Sequence, residues 1–165
     1  IPAWKKNAKE LVTTLSKTSQ QAILKAEKEK KYDDPSYMES LNEFCSKYLW
    51  INPDAADLDS TIATANELIY YYMQGPSEFT ITGTLKYYDA TPFLNQIKVP
   101  ALYTVGEFDE ANPKTIERFA SLTPNSKVAI IKGAAHMTTW DGRDENILVV
   151  RKFLNSVDSL LTSEK

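Results

Sequence analysis

Glycine is scarce in this 165-residue chain, and the spacing of its five glycines excludes several kinds of site. They stand at Gly75, Gly83, Gly106, Gly133 and Gly142, so no two are closer than eight positions. The Walker A loop, the dinucleotide-binding fingerprint G-x-G-x-x-G and the nucleophile elbow G-x-S-x-G all need glycines closer together than that. The chain therefore contains none of these phosphate-binding loops and no serine elbow of its own.

Cysteine and histidine each occur once, as Cys45 and His136. A single cysteine excludes an internal disulfide, and these two residues cannot form a Cys/His zinc cluster, so we expect neither a metal nor another cofactor. The 19 basic and 22 acidic residues give a net charge of −3, which offers no basic surface for nucleic acid. No apolar run approaches the roughly 18 residues of a membrane span.

The chain begins Ile1-Pro2-Ala3-Trp4, with neither an initiator methionine nor the apolar segment of a signal peptide. From this start we expect a processed or truncated chain. Residues 1–75 carry helical patterns and no strand signals. Four helices are expected: one over Trp4–Leu15, a second capped by Ser16 or Thr18, a third opening at Pro35 or Ser36, and a fourth over Thr61–Met73. Their aromatic side chains are expected to pack in the core and between helices.

Beyond Gly75 the pattern changes to strands that alternate with helices. Short apolar runs over Ala101–Val105 and Val128–Ile131 predict buried strands, and Pro113–Leu122 and Glu145–Leu161 predict helices. Apolar strands separated by helices indicate a parallel sheet covered by helices. Because two strands cannot form such a sheet alone, the sequence predicts the end of a larger α/β fold, preceded by a helical insertion.

Acidic residues and the single histidine follow the two predicted strands, where reactive groups of open parallel sheets collect. The run 107–110 reads GluPheAspGlu, and His136 follows the second strand. A carboxylate that orients an imidazole forms the rear half of a catalytic triad, and acid before histidine is the order found in α/β-hydrolases. The alternative is a lone surface or helix-capping histidine.

Three segments resemble the proline iminopeptidases, a family of serine peptidases in the α/β-hydrolase superfamily. The specific segments are VPALYTVGEFDEANP (99–113) and GAAHM (133–137), and MQGPSEFTITGTL (73–85) resembles the segment where the family's helical cap rejoins the core. The resemblance spans nearly the whole chain and is closest to the tricorn-interacting aminopeptidase type. It implies a helical cap domain over residues 1–75 and the C-terminal part of an α/β-hydrolase core over residues 76–165.

The resemblance further implies roles for individual residues. Asp109 would be the triad acid and His136 the general base, while Glu78 and Glu110 would hold the free α-ammonium group of a peptide substrate. Carboxylates removed from water suit that task, because they supply both charge and hydrogen-bond acceptors to a cation. Glu107 is expected to serve structurally in its loop. For Glu78, the alternative is a helix-cap or surface acid.

The front half of such a hydrolase is absent from the sequence. The expected partner is therefore the N-terminal part of the same hydrolase, which would carry the nucleophilic serine and the oxyanion hole, and this chain alone should be inactive. The leading interpretation is the C-terminal chain of a serine aminopeptidase that favours N-terminal proline. The alternatives are a related α/β-hydrolase that acts on amides or esters, and a non-catalytic binding module that retains the fold.

Overall fold

The computed structural model describes residues 1–163, with side chains through Ser159. The chain divides into two compact units, residues 1–89 and the residues from Ala90 onward. The expected division into a cap domain (1–75) and a core domain (76–165) stays a prediction. Residues 164 and 165 of that core domain lie outside the described part of the chain. Among the described residues, none of the helices is both long enough and apolar enough to cross a membrane.

The first unit is helical, and its second and third helices begin where the sequence predicts. The elements are α1 (Pro2–Val12), α2 (Lys17–Glu29), α3 (Pro35–Tyr48), α4 (Ala55–Thr64), α5 (Glu67–Met73) and a 3₁₀ helix (Thr84–Tyr87). Ser16 caps α2 by accepting a hydrogen bond from the Ser19 amide, and Pro35 occupies the first turn of α3. A hydroxyl acceptor before the helix and a proline in its first turn both satisfy the geometry of a helix start.

The prediction of one helix over Thr61–Met73 is wrong, because the helix is interrupted between α4 and α5. Ala65 adopts an extended conformation, with φ −67° and ψ 135°. The Asn66 side chain then accepts a hydrogen bond from the Ile69 amide and begins α5. Asparagine competes with the helical backbone in this way, so it favours a new helix start over the continuation of the old one.

The core of the first unit is aromatic, as the sequence predicts. Tyr37 and Phe44 of α3 are completely buried, and the ring of Phe79 lies 5.7 Å and 5.1 Å from theirs in edge-to-face arrangements. Such pairs contribute about 0.5–1.5 kcal/mol beyond the area that they bury. Phe79 thereby fixes the segment after Gly75 against the helices.

A buried polar network extends from this aromatic core to the same segment. The Tyr37 hydroxyl lies 2.7 Å from Ser77 Oγ and 3.1 Å from Thr80 Oγ1, and its proton can be donated to either. Thr80 Oγ1 in turn donates to Glu27 Oε1 of α2 at 3.0 Å. Burial raises the pKa of the Tyr37 phenol, so the hydroxyl remains a neutral donor. The network connects α2 and α3 to residues 77–80.

Removing the Tyr37 hydroxyl should destabilise the first unit. In Tyr37→Phe the buried oxygens of Ser77 and Thr80 lose a donor, and we expect the free energy of unfolding to fall by about 1–2 kcal/mol. Denaturant unfolding followed by circular dichroism measures the change. Tyr72→Phe is the matched control, because Tyr72 is 69% exposed. Equal unfolding free energies for the two variants would show that the network contributes no stability.

A second polar cluster joins α3 to the start of α2. The Glu43 carboxylate accepts hydrogen bonds from Lys47 Nζ at 2.8 Å, from Ser19 Oγ at 2.6 Å, and from the amide and hydroxyl of Ser16 at 2.9 Å each. The bond to Lys47 has the largest effect and the Ser19 bond the next, and together the contacts lower the pKa of Glu43 to about 2. The ionised carboxylate therefore stabilises the folded state.

We expect acid to weaken this cluster over a defined pH range. Because the folded-state pKa lies below the reference value of 4.5, the contribution is complete above pH 4.5 and is lost as the pH falls towards 2. Glu43→Gln should lower the free energy of unfolding by about 1 kcal/mol at pH 7, a value reduced by solvent screening. The difference from wild type should shrink between these pH values. Glu39→Gln, on the same helix, is the control, and a difference that is constant with pH contradicts the assignment.

The second unit has the strand and helix order that the sequence predicts. After a 3₁₀ helix (Thr91–Gln96) come β1 (Ala101–Gly106), α6 (Pro113–Leu122), β2 (Ser126–Ile131), α7 (Thr138–Asp141) and α8 (Arg143–Ser163). The strands are parallel, with Ala101 opposite Ser126 and Gly106 opposite Ile131. The single turn of α7 is an addition to the predicted elements.

The strands are less buried than their apolar sequences predict. Val105 and Ile131 are buried at the carboxyl ends of β1 and β2, whereas the Ile130 side chain is 39% exposed. The sheet of the described residues has two strands. An interior strand of a parallel sheet needs a neighbour on each side and a layer on each face to be fully covered.

Candidate functional site

Two loops meet at the carboxyl end of the parallel sheet in the second unit. The acid loop (107–112) follows β1, and the histidine loop (132–137) follows β2. Since Gly106 and Ile131 are register partners, both strands end at the same level. The Glu107 amide donates to the Ile131 carbonyl at 3.0 Å and the Phe108 amide to the Ala134 carbonyl at 2.9 Å, so the two loops continue the contact of the strands.

Glycine at position 106 permits this close approach. A Cβ built on Gly106 would collide with the carbonyl oxygens of Ala134 and Ala135. Any larger residue would therefore push the histidine loop away from the strand that carries the acid loop. The glycine that ends the first predicted strand is thus a requirement of the site's geometry.

Asp109 and His136 are brought together by these loops. His136 Nδ1 lies 3.0 Å from Asp109 Oδ1, and the Asp109 side chain is only 5% exposed. The same carboxylate accepts hydrogen bonds from the Ala111 amide at 2.7 Å and the Gly106 amide at 3.4 Å. Two backbone donors therefore fix the carboxylate, and the carboxylate orients the imidazole.

This geometry determines which imidazole nitrogen can act as a base. An ionised carboxylate only accepts hydrogen bonds, so the neutral imidazole must carry its proton on Nδ1. Nε2 is then the nitrogen with a lone pair, on a side chain that is 40% exposed. A base fixed by a buried acid, with its second nitrogen directed away from that acid, is the arrangement that removes a proton from a nucleophile.

Glu110 follows Asp109 directly and is buried, with 1% of the residue exposed. Burying a carboxylate is costly unless a charge or hydrogen-bond donors compensate it. The assignment of Glu110 to the ammonium group of a substrate stays a prediction.

Glu78 lies in the first unit, in the segment fixed by Phe79 and the Tyr37 network. Its Oε1 accepts a hydrogen bond from the Tyr70 hydroxyl at 2.6 Å, and its carbonyl accepts one from Trp4 Nε1 at 3.0 Å. It lines a largely apolar cavity of about 480 Å³, which Leu41 and Tyr71 also line. Glu78 is half-buried within this unit, and its role in substrate binding stays a prediction.

Sequence reasoning missed the partners of these residues. Tyr70 stands eight positions before Glu78, and no periodic pattern links a helical tyrosine to a loop glutamate. Glu107, expected to be structural, binds the histidine loop through the Gly133 amide. In the part of the chain that the structure describes, no group of three or more His, Cys, Asp or Glu side chains is arranged to hold a metal ion.

Comparison with known proteins gives a consistent set of relatives, although no protein-family model matches the sequence. The proline iminopeptidase of Thermoplasma volcanium is 34% identical over 156 residues, which cover 93% of this chain and 53% of that protein. The crystal structure of a Mycobacterium smegmatis proline iminopeptidase superposes with a TM-score of 0.84 at 28% identity, covering 96% of this chain and 54% of that one. The crystal structure of VinJ superposes with a TM-score of 0.87 at 25% identity, over 93% and 53% of the two chains.

These matches, with the parallel strands and their loops, define the C-terminal part of an α/β-hydrolase. Within that superfamily the chain is related to the proline iminopeptidases. The resemblance to this family that its GEFDE and GAAHM segments indicate is confirmed. The chain spans about half the length of the curated relatives that it matches.

Proposed function

We propose that this chain is the C-terminal portion of a serine aminopeptidase that releases N-terminal residues, proline favoured, from peptides. In this proposal it supplies Asp109 and His136, and the N-terminal portion supplies the nucleophilic serine and the oxyanion hole. The observation that carries the proposal is the 3.0 Å contact between His136 Nδ1 and Asp109 Oδ1 at the sheet's carboxyl end. The similarity to proline iminopeptidases supports the reaction type.

The proposed reaction follows from the orientation of His136. Nε2 accepts the serine proton as the serine oxygen attacks the carbonyl carbon of the first peptide bond. The imidazolium, stabilised by Asp109, then donates that proton to the leaving nitrogen, and an acyl-enzyme remains. The same nitrogen then removes a proton from water as the water attacks the ester. It returns this proton to the serine oxygen as the bond to the acyl group breaks and the N-terminal amino acid leaves. The histidine thus begins and ends the cycle neutral.

Aminopeptidase specificity requires a site for the free amine at a fixed distance from the attacked carbonyl. We assign Glu110 to this site, and the corresponding role of Glu78, which lies in the first unit, stays a prediction from the family resemblance. Burial strengthens the attraction of Glu110 for an ammonium group, because little water competes for the carboxylate. The 2.6 Å contact from the Tyr70 hydroxyl fixes one oxygen of Glu78 in its own unit. A charge-assisted hydrogen bond to a carboxylate would favour the binding of a protonated amine over an acylated one.

The test is reconstitution from two chains. This chain, the complementary N-terminal half of the hydrolase, and an equimolar mixture should each be assayed with a proline arylamide and with its N-acetyl derivative. We expect turnover of the free-amine substrate by the mixture alone. A stable two-chain complex without turnover would contradict the proposal. Equal turnover of both substrates would indicate a broader amide or ester hydrolase.

A further inference from the structure

The histidine loop is restrained by carboxylates that come from three other places in the second unit. Glu107 Oε2 accepts from the Gly133 amide at 3.0 Å, Asp141 Oδ2 from the Ala135 amide at 3.1 Å, and Glu145 Oε2 from the Lys132 amide at 3.1 Å. These acids belong to the acid loop, α7 and α8. We call the three of them the carboxylate clamp.

The loop that carries the base needs such a restraint. Gly133 has a φ of 68°, in the left-handed region, and a Cβ placed there would meet nothing within 4 Å. A glycine in open space has wide conformational freedom, so nothing at this position itself fixes the path of the chain to His136. Hydrogen bonds that backbone amides donate to an ionised carboxylate are stronger than those to a neutral acceptor, and they can restrain the loop from neighbouring segments.

Glu107 occupies a special place in the clamp, because it also belongs to the loop of the triad-type acid. Its own amide donates to the Ile131 carbonyl at 3.0 Å, and its side chain binds Gly133 two residues further along. Glu107 therefore ties the loop of Asp109 to the loop of His136 by both backbone and side chain. A displacement of either loop would change the 3.0 Å contact between acid and base.

We propose that Glu107 is a positioning residue for His136, supported by Asp141 and Glu145, and that the clamp sets the orientation of the imidazole against Asp109. This inference rests on the proposed function for its effect on turnover. It requires no contact between Glu107 and the substrate. Its consequence is a loss of kcat with an unchanged KM, because the base is misplaced while substrate binding is intact.

The first test measures kinetics in the assembled hydrolase. Glu107→Ala should lower kcat by roughly 10- to 100-fold with KM unchanged, since small displacements of catalytic groups have effects of this size. Glu107→Gln, which retains an oxygen acceptor, should recover most of kcat. Glu117→Ala is the matched control, because Glu117 is an exposed acid of α6 in the same unit. In an Asp109→Asn background the Glu107→Ala effect should disappear.

The second test does not depend on turnover. His136 is the only histidine of this chain, so labelling the chain with ¹⁵N-histidine reports that one imidazole even in a two-chain complex. We expect the Nδ1–H tautomer in wild type and a mixture of tautomers in Glu107→Ala. If wild type lacks turnover, the proposed function fails while the tautomers still test the clamp. The positioning role would be overturned if Glu107→Ala had the kcat and the tautomer of wild type. It would also be overturned if Glu107→Ala lowered kcat by the same factor in the Asp109→Asn background as in the wild-type background.

Discussion

Replacing His136 with alanine is expected to reduce turnover by the assembled hydrolase by roughly 10⁴-fold or more. The substitution removes the base that accepts the serine proton, and the chain has no second histidine to replace it. The residual rate would come from substrate binding and the oxyanion hole. The measurement is kcat for a proline arylamide with equal amounts of two-chain complex.

Asp109→Asn should reduce kcat by a similar factor, about 10⁴. The amide can donate to Nδ1, so the imidazole would carry its proton on Nε2, where it cannot act as a base. Asp144→Asn is the matched control, because Asp144 is an exposed acid in the first turn of α8. Turnover of Asp109→Asn within a few-fold of the control would show that the buried carboxylate does not direct the base.

Glu110→Gln is expected to lower kcat/KM for substrates with a free amino terminus and to leave it unchanged for substrates without one. The side chain keeps its size but loses the charge that would bind the substrate's ammonium group. Because the residue is 1% exposed, we expect kcat/KM for a proline arylamide to fall by about 10²- to 10³-fold, the effect of removing one partner of a buried ion pair. An ester without a free amine should be hydrolysed at the wild-type rate.

The control for this experiment is Glu117→Gln, which changes the same charge at an exposed position of α6. A parallel loss on both substrates would indicate that Glu110 stabilises the fold or the catalytic pair. An unchanged kcat/KM for the arylamide would exclude Glu110 from amine recognition. Only a selective loss on the free-amine substrate agrees with the proposed role.

The arrangement of acid and histidine could be predicted because it follows from topology. Two apolar runs of strand length that are separated by a helix are typical of neighbouring parallel strands. The carboxyl ends of such strands lie at the same edge of the sheet. Asp109 and His136 each stand a few residues beyond their strand, so their meeting needed no knowledge of side-chain packing. The resemblance to proline iminopeptidases then supplied the hypothesis for Glu78 and Glu110, which spacing alone did not.

Other features have no periodic signal in the sequence. The helix predicted over Thr61–Met73 includes Ala65 and Asn66, and the side-chain cap of Asn66 marks the start of a separate helix there. The bonds from Glu107 to Gly133 and from Tyr70 to Glu78 join side chains to groups in irregular segments. Such contacts depend on the path of a loop, and that path follows from packing rather than from local propensity.

Covalent labelling by a fluorophosphonate tests the central claim most directly. The probe forms a phosphorus–oxygen bond with an activated serine and releases fluoride, so the mass of each chain in the complex identifies which one carries the nucleophile. We predict that the N-terminal chain gains the mass of the probe, that this 165-residue chain gains none, and that His136→Ala in this chain abolishes labelling of the other. Labelling of this chain, or labelling of its partner at an unchanged rate with His136→Ala, would contradict the account.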